Sequence, residues 1–296
     1  MSAATALGAR GAELFRAQAA LYASHRPSYP DDLFETVLSF AGLGPGERRL
    51  ALDVATGTGQ VATALAGRFD AVLACDASQQ QLEHAEQRPN ITYFLSPAER
   101  LDRVADGSVD LLTVAQALHW FDLPAFYAEA RRVLRPGGTL AVWGYGLPLI
   151  ASPPGRPPHP PATLAALHRA MHELHTCTLG AMWDPGRELV WNCYRGLEPG
   201  AEHFASVERH DLRMHKDVSM AGALGFLSSW SAYNTFRRQH PDGPDPLAAF
   251  RRQLLEAAGL GEEGAHSPEP VLRLDWNVFM ILAKEPVPPQ AAGQQA

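Results

Sequence analysis

The segment Leu50-Ala-Leu-Asp-Val-Ala-Thr-Gly-Thr-Gly-Gln60 constrains this fold more than any other part of the chain. A short apolar run carrying one acid, Asp53, passes at once into a turn with glycines at 57 and 59. A strand buried on both faces of a parallel sheet reads as such a run. Glycine permits a tight turn into a helix and lets backbone come close to a ligand. Nineteen residues beyond Gly57, a second apolar run, Ala71-Val72-Leu73-Ala74-Cys75, ends in Asp76. That spacing puts an acid at the tip of the second strand, where it meets the hydroxyl pair of a ribose. Together the two segments predict an adenosine-type cofactor held at the carboxyl ends of a parallel sheet.

The rest of the first half repeats the pattern. Asp31 can cap a helix whose apolar stripe is Phe34, Val37, Leu38 and Ala41, stopped by Gly42 and Gly44-Pro45-Gly46. Helices are expected over 11–23, 59–67, 78–87 (with Ser78 and Gln81 as a capping box) and 122–134, and strands over 91–95, 109–114 and 139–145. Arg135-Pro136-Gly137-Gly138 reads as a turn before the last of these strands. Strands alternating with helices imply right-handed βαβ units. The fold class is α/β: a doubly wound, mostly parallel seven-stranded sheet with helices on both faces and a helical lid insertion after the fifth strand.

At Pro148 the pattern changes, with seven prolines between 148 and 161 marking a linker. Beyond it, helices are expected over 162–176, 220–239 and 246–259, with strands over 206–217 and 271–283. The organisation that follows is an N-terminal helical cap (1–46), a Rossmann-like core (47–147), a Pro-rich linker and lid insertion (148–205), C-terminal strands and helices that complete the sheet (206–285) and a disordered tail (286–296).

Charge and cysteine usage narrow the partners. The 296 residues carry a formal charge of −7, so no net field attracts nucleic-acid phosphates. No apolar run approaches the roughly 20 residues that span a bilayer. The cysteines, Cys75, Cys177 and Cys193, are odd in number and form no CxxC, which predicts a reducing, cytoplasmic setting without disulfides or zinc. His172 with His175, and His210 with His215, lack the third ligand of a metal site, so no metal is assigned. Oligomeric state is not legible.

Gly57-x-Gly59-x-x-Ala62 also fits the dinucleotide fingerprint, but a dehydrogenase has no need of Asp53 inside its first strand. A cofactor with a cationic amino-acid end has a use for it. The chain resembles the class I S-adenosylmethionine-dependent methyltransferases in Leu52-Asp53-x-x-x-Gly57-x-Gly59, the strand-end Asp76, Ala98-Glu99-x-Leu101 and Leu134-Arg135-Pro136-Gly137-Gly138-x-Leu140. Tyr22-x-x-x-Arg26-Pro27-x-Tyr29-Pro30, Ala117-x-His119-Trp120-Phe121-Asp122, Trp230-Ser231-Ala232-Tyr233 and His240-Pro241-Asp242 look like the small-molecule group that includes trans-aconitate methyltransferase.

The resemblance implies S-adenosyl-L-methionine as cofactor, S-adenosyl-L-homocysteine as product and a small molecule as methyl acceptor. By the same resemblance Ala55, Thr56, Gly57 and Gly59 pass under the methionine part and Asp53 holds its ammonium group, mostly through water or backbone. Asp76 accepts the ribose hydroxyls beside Ala77 and Gln81, Ala98 and Glu99 meet the adenine, and Gln116 and Ala117 lie beside the sulfonium. Tyr22 and Arg26 close over the site. Pro97 stands where many relatives carry an Asp bonded to the adenine amino group, so adenine recognition is either looser here or supplied by Glu99.

His119 reads as a base, a substrate hydrogen-bond donor or an anchor of its turn. Trp120, Trp183 and Arg187 are candidates for the acceptor side. The resemblance favours O-methylation of a small carboxylic acid, an acceptor already ionised at neutral pH that needs no general base. Nitrogen, sulfur or other oxygen acceptors remain open, as do a nicotinamide-dependent oxidoreductase and a non-catalytic methyltransferase-like scaffold.

Overall fold

The computed structural model describes residues 28–259, 261 and 266–287. The expected helix over 11–23, Tyr22, Arg26 and the tail from 288 lie outside the described residues. In chain order the elements are α1 (Asp31–Ala41), β1 (Leu50–Val54), α2 (Gln60–Ala66), β2 (Ala71–Asp76), α3 (Gln79–Glu83), β3 (Ile91–Leu95), β4 (Val109–Ala115), α4 (Leu123–Val133), β5 (Leu134–Tyr145) and β6 (Leu149–Ala151). There follow α5 (Pro161–Glu173), α6 (Arg187–Trp191), β7 (Phe204–Val218), α7 (Met220–Ser228), α8 (Ser231–Gln239), α9 (Ala248–Ala258) and β8 (Leu272–Pro286).

The sheet order is β3-β2-β1-β4-β5-β8-β6, with β7 on the other edge of β8. β1 to β5 run parallel, whereas β8 is antiparallel to β5, β6 and β7. The sheet is therefore mixed and, among the described residues, has eight strands rather than the seven expected. The additional strand is β6, which lies in the Pro-rich stretch read as a linker. It continues the β5 edge of β8: β5 pairs with residues 278–284 and β6 with 273–275.

Side chains alternate between two core layers. Ala51, Leu111, Ala141, Trp143, Val278, Met280 and Leu282 enter one; Leu52, Leu112, Leu140, Val142, Phe279, Ile281 and Ala283 enter the other. This is the two-residue strand period expressed on a sheet covered on both faces. Phe34 of α1 packs edge-on to Trp143, ring centroids 6.2 Å apart, in the first layer. Phe126, Ala130 and Val133 of α4 fill the second.

Three further expectations are corrected. Arg135-Pro136-Gly137-Gly138 is a bulge inside β5, not a turn before it: the register passes from Val109–Leu134 to Leu111–Thr139. The bulge turns Arg135 onto buried Asp110 (Nε to Oδ1, 2.5 Å), and the other oxygen of that carboxylate accepts the N–H groups of Arg49 and Leu50 at 3.0 and 2.8 Å. The helix after Ser78 ends at Glu83, four residues early. The helix expected over 220–239 breaks at Ser229-Trp230, where Trp230 turns extended and buries its ring.

No helix among the described residues is long and apolar enough to cross a membrane. Nor does any group of three or more His, Cys, Asp or Glu among them form an arrangement that could hold a metal ion.

Candidate functional site

A crevice opens at the carboxyl ends of the parallel strands. Open α/β sheets bind ligands at such a place, because the strand order reverses there and the loops diverge. In this sheet β1 has β2 on one side and β4 on the other, and the loops leaving those strands form the walls.

The first wall is the loop after β1. Ala55 and Gly57 both take left-handed dihedrals, φ 55° and 57°. For alanine that conformation is strained, a feature that clusters where structure is held for function. Thr56 N–H donates to the Cys75 carbonyl at 2.9 Å, and Gly57 N–H donates to Asp76 Oδ2 at 2.8 Å. The second wall begins at Asp76, whose Oδ1 accepts Ser78 N–H at 2.8 Å. One carboxylate thus ties the glycine loop to the tip of β2. Burial pushes the Asp76 carboxyl above its ordinary range, opposed by the N–H groups of Ser78, Gly57 and Ala77.

Asp53 lies at the back of the crevice, 1% exposed. In the β1–β4 register it stands opposite Thr113. Thr113 Oγ1 donates to Oδ1 at 2.7 Å and Thr56 Oγ1 donates to Oδ2 at 2.5 Å. Burial raises the carboxyl from its ordinary 3.8 to about 6; the hydrogen bonds from Thr56 and Thr113 hold it down and the nearby charge of Asp76 adds to the rise. No cation among the described residues pairs with it. Among the described residues, the site therefore holds a buried acid with neutral partners only, on the wall of the crevice.

The third wall follows β4. Gln116 is left-handed, φ 56°. Its N–H donates to the Trp143 carbonyl and its Nε2 to the Tyr145 carbonyl, both at 2.9 Å, so it is pinned to the end of β5. Ala117, Trp120 and Phe121 continue this wall, and Ser96, Pro97, Ala98 and Glu99 after β3 close the far end. Glu99 Oε1 accepts Asp122 N–H at 3.0 Å, joining the exit of β3 to the start of α4.

Of the residues singled out in the sequence, the crevice brings together Asp53, Ala55, Thr56, Gly57, Asp76, Ala77, Gln81, Ala98, Glu99, Gln116, Ala117 and Trp120. Gly59 is not on its wall. Gly59 opens α2 at φ 82°, and a Cβ there would run into the Tyr93 hydroxyl, so its close approach is to Tyr93.

His119, Trp183 and Arg187 lie off the wall and form a group of their own. His119 Nδ1 shares a hydrogen bond of 2.8 Å with Tyr194 Oη, and its ring packs on Trp120 at 4.8 Å. Burial, then the Arg187 charge, lowers His119 to about 3, so it is neutral at physiological pH. The Arg187 guanidinium sits 5.0 Å from the centre of the Trp183 ring. Trp183 in turn stacks on buried His175, which burial likewise lowers to about 3.

Tyr29 and Thr113 were not predicted as site residues. Tyr29 lines the crevice and packs edge-on to Trp143, ring centroids 5.5 Å apart; the Tyr-Pro turn in the sequence was its signal. Thr113 is marked only by strand register, which sequence does not print.

Residues 52–142 match the methyltransferase domain family. A provisionally named methyltransferase from Dictyostelium discoideum is 34% identical over 266 residues, covering 89% of this chain and 92% of that protein. CRG1 of Saccharomyces cerevisiae, provisionally named an S-adenosylmethionine-dependent methyltransferase, is 24% identical over 291 residues, 90% of this chain and 96% of that one. Among solved structures, a provisionally named type II methyltransferase from Anaeromyxobacter dehalogenans superposes with a TM-score of 0.67 at 33% identity, covering 88% of this chain and 97% of that one.

Proposed function

Because this chain belongs to the S-adenosylmethionine-dependent methyltransferases, we propose that its crevice holds the cofactor across the ends of β1, β2 and β4 and that the acceptor is a small molecule. The observation that carries the placement is Asp53, a buried carboxyl with two hydroxyl partners and no cation among the described residues. A buried charge is strongly disfavoured unless paired, and an ammonium group entering the crevice supplies the pair. When bound, the cofactor provides a methyl group on a charged sulfur, an electrophile that needs no activation by the protein.

The chain's own residues hold and orient. Gly57 offers backbone without a Cβ, and the free lone pairs of Asp76 accept ribose hydroxyls. Ala98 and Glu99 face the adenine; with Pro97 unable to donate, Glu99 Oε2 is the acceptor left for the adenine amino group. Gln116, Ala117 and Trp120 border the sulfur. Tyr22 and Arg26, outside the described residues, are assigned to the cofactor by the family resemblance alone. Holding the reacting atoms in line at about 3 Å supplies several kcal/mol of the barrier.

For the acceptor we propose O-methylation of a small carboxylic acid, in keeping with the likeness of several motifs to the trans-aconitate methyltransferase group. A carboxylate is ionised at neutral pH, so the reaction needs no proton removal. His119, neutral and bonded to Tyr194, acts as a hydrogen-bonding group on the acceptor side rather than as an essential base. Trp183 and Arg187, on the segment between β6 and β7, form the acceptor-side cover together with α6, which packs on the 118–120 turn.

Calorimetry with S-adenosylhomocysteine and with NADH tests the crevice: binding of the first and not the second is expected, and the reverse result ends the assignment. Asp76→Ala should weaken S-adenosylhomocysteine about tenfold or more, the effect of removing a charge-assisted hydrogen-bond acceptor. Labelled S-adenosylmethionine offered with carboxylic acids, phenols, amines and thiols then identifies the acceptor. Product from the amines or thiols alone overturns the carboxylate, and product from none supports a binding scaffold.

A further inference from the structure

The geometry points to Tyr194 as a positioning residue: its hydroxyl latches His119 and thereby holds Trp120 in place as a wall of the cofactor crevice. The idea rests on the cofactor reading above for its ligand, while the latch itself is a statement about this chain alone.

Four observations converge on it. First, Tyr194 is fully buried although it follows a helix of only five residues, α6, and carries a polar hydroxyl. Second, Cys193 and Tyr194 are consecutive non-glycine residues with left-handed backbone, both at φ 54°. Each such residue is strained and persists only where its surroundings over-determine it. What holds it is visible: Tyr194 N–H donates to the Leu189 carbonyl at 2.9 Å, Arg209 donates to the Cys193 carbonyl, and the Tyr194 ring stands edge-on to Phe279 of β8 at 5.2 Å.

Third, the strained turn delivers the hydroxyl to His119 Nδ1 at 2.8 Å, across 75 positions of sequence. Fourth, His119 is the residue between Leu118, fully buried in the core, and Trp120, on the crevice wall. Gly186 closes the other side of the imidazole: a Cβ at 186 would come within 3.3 Å of its Cδ2. The ring is thus clamped between the segment 186–194 and Trp120, with the Tyr194 hydroxyl hydrogen-bonded to its Nδ1.

The consequence is a coupling. Segment 186–194 does not line the cofactor crevice, yet its placement fixes the 118–120 turn that does. The latch takes the Tyr194 O–H as donor to Nδ1, which leaves the imidazole proton on Nε2, since a neutral imidazole keeps one ring nitrogen as acceptor and one as donor.

The test is Tyr194→Phe in the full chain, which removes one oxygen and keeps the ring. Two quantities are read: S-adenosylhomocysteine affinity by calorimetry, and the tautomer of His119 by long-range nitrogen–proton NMR. The wild-type protein should show one neutral tautomer of His119 between pH 5 and 8. Tyr194→Phe should give a mixture of the two and weaken S-adenosylhomocysteine about three- to tenfold, the range expected for one buried hydrogen bond. In a His119→Phe background the Tyr194 change should weaken it no further. Wild-type affinity and an unaltered His119 spectrum in Tyr194→Phe would overturn the latch, as would full additivity of the two changes. If the wild-type protein fails to bind S-adenosylhomocysteine, the cofactor reading is what fails, and the NMR comparison still judges the latch.

Discussion

Asp53 is a residue at which the fold gives up stability, and under the proposed function cofactor binding offsets that loss. Its carboxyl rises from 3.8 in the unfolded chain to about 6 in the fold, chiefly because burial disfavours the charge. Below about pH 4 both states are protonated and the group imposes no penalty. As pH rises from about 4 to 6 the unfolded chain ionises first, so the native state loses stability; above 6 the loss is complete and constant. Two pH units correspond to about 3 kcal/mol. Asp53→Asn should therefore melt higher than wild type at pH 7.5 and no higher at pH 4, while binding S-adenosylhomocysteine more weakly. Thermal melts across that range, with calorimetry at pH 7.5, check it. Equal melting temperatures at pH 7.5 would mean that the buried acid is relieved by some other partner. The same chemistry was half-legible in the sequence: an acid inside an apolar strand is conspicuous, but the hydroxyls of Thr56 and Thr113 that accommodate it come from a turn and a neighbouring strand.

Among the elements, the β1–α2 junction carries both glycines of the fingerprint, and the two do different things. Gly57 faces the crevice and gives its N–H to Asp76. Gly59 faces Tyr93 of β3, whose hydroxyl donates to the Glu86 carbonyl at 2.8 Å and so joins the start of α2 to the segment after α3. Gly59→Ala would force an alanine into φ 82° and press its Cβ on that hydroxyl. The expected loss is about 2–4 kcal/mol, from left-handed strain plus overpacking. Adding Tyr93→Phe should recover part of it, read as the denaturant midpoint of the single and double variants. No recovery would place the cost in the backbone alone. Spacing identified both glycines; it did not say which one meets protein.

The whole molecule is organised around β8. Residues 278–283 of this strand have β5 on one side and β7 on the other, and β6 continues along the β5 edge. Strands 50–95 and 109–145 form the parallel half, and the last strand in sequence joins it to everything after 148. Native-state hydrogen exchange should find the slowest amides in β1, β4 and residues 278–283, where both neighbours are paired. β7 has no strand on its outer edge among the described residues, and its charged side chains, Glu208, Arg209, Asp211, Arg213 and Asp217, blunt that edge. Its outward amides should exchange fast. Protection along both edges of β7 would show a second copy paired there.

By itself the sequence determined the parallel half of the sheet and most of the segments that line its crevice. Buried strands must be apolar runs, turns that need left-handed backbone need glycine, and an acid ending the second run has a fixed distance from the first turn; each of these signals is local. It placed Asp53, Gly57 and Asp76 within one crevice because each stands at or near the end of a strand whose direction the βαβ rule sets; Gln116 joined them only through the family resemblance. What only the tertiary structure decided involves partners far apart along the chain. The eighth strand and the β5 bulge depend on register against β8 and on the Arg135–Asp110 pair. The Asp53–Thr113 contact depends on which residue of β4 stands opposite β1. The contact of His119 with Tyr194 closes a loop of 75 residues through a strained turn, and no local pattern of residue types encodes a meeting of that kind.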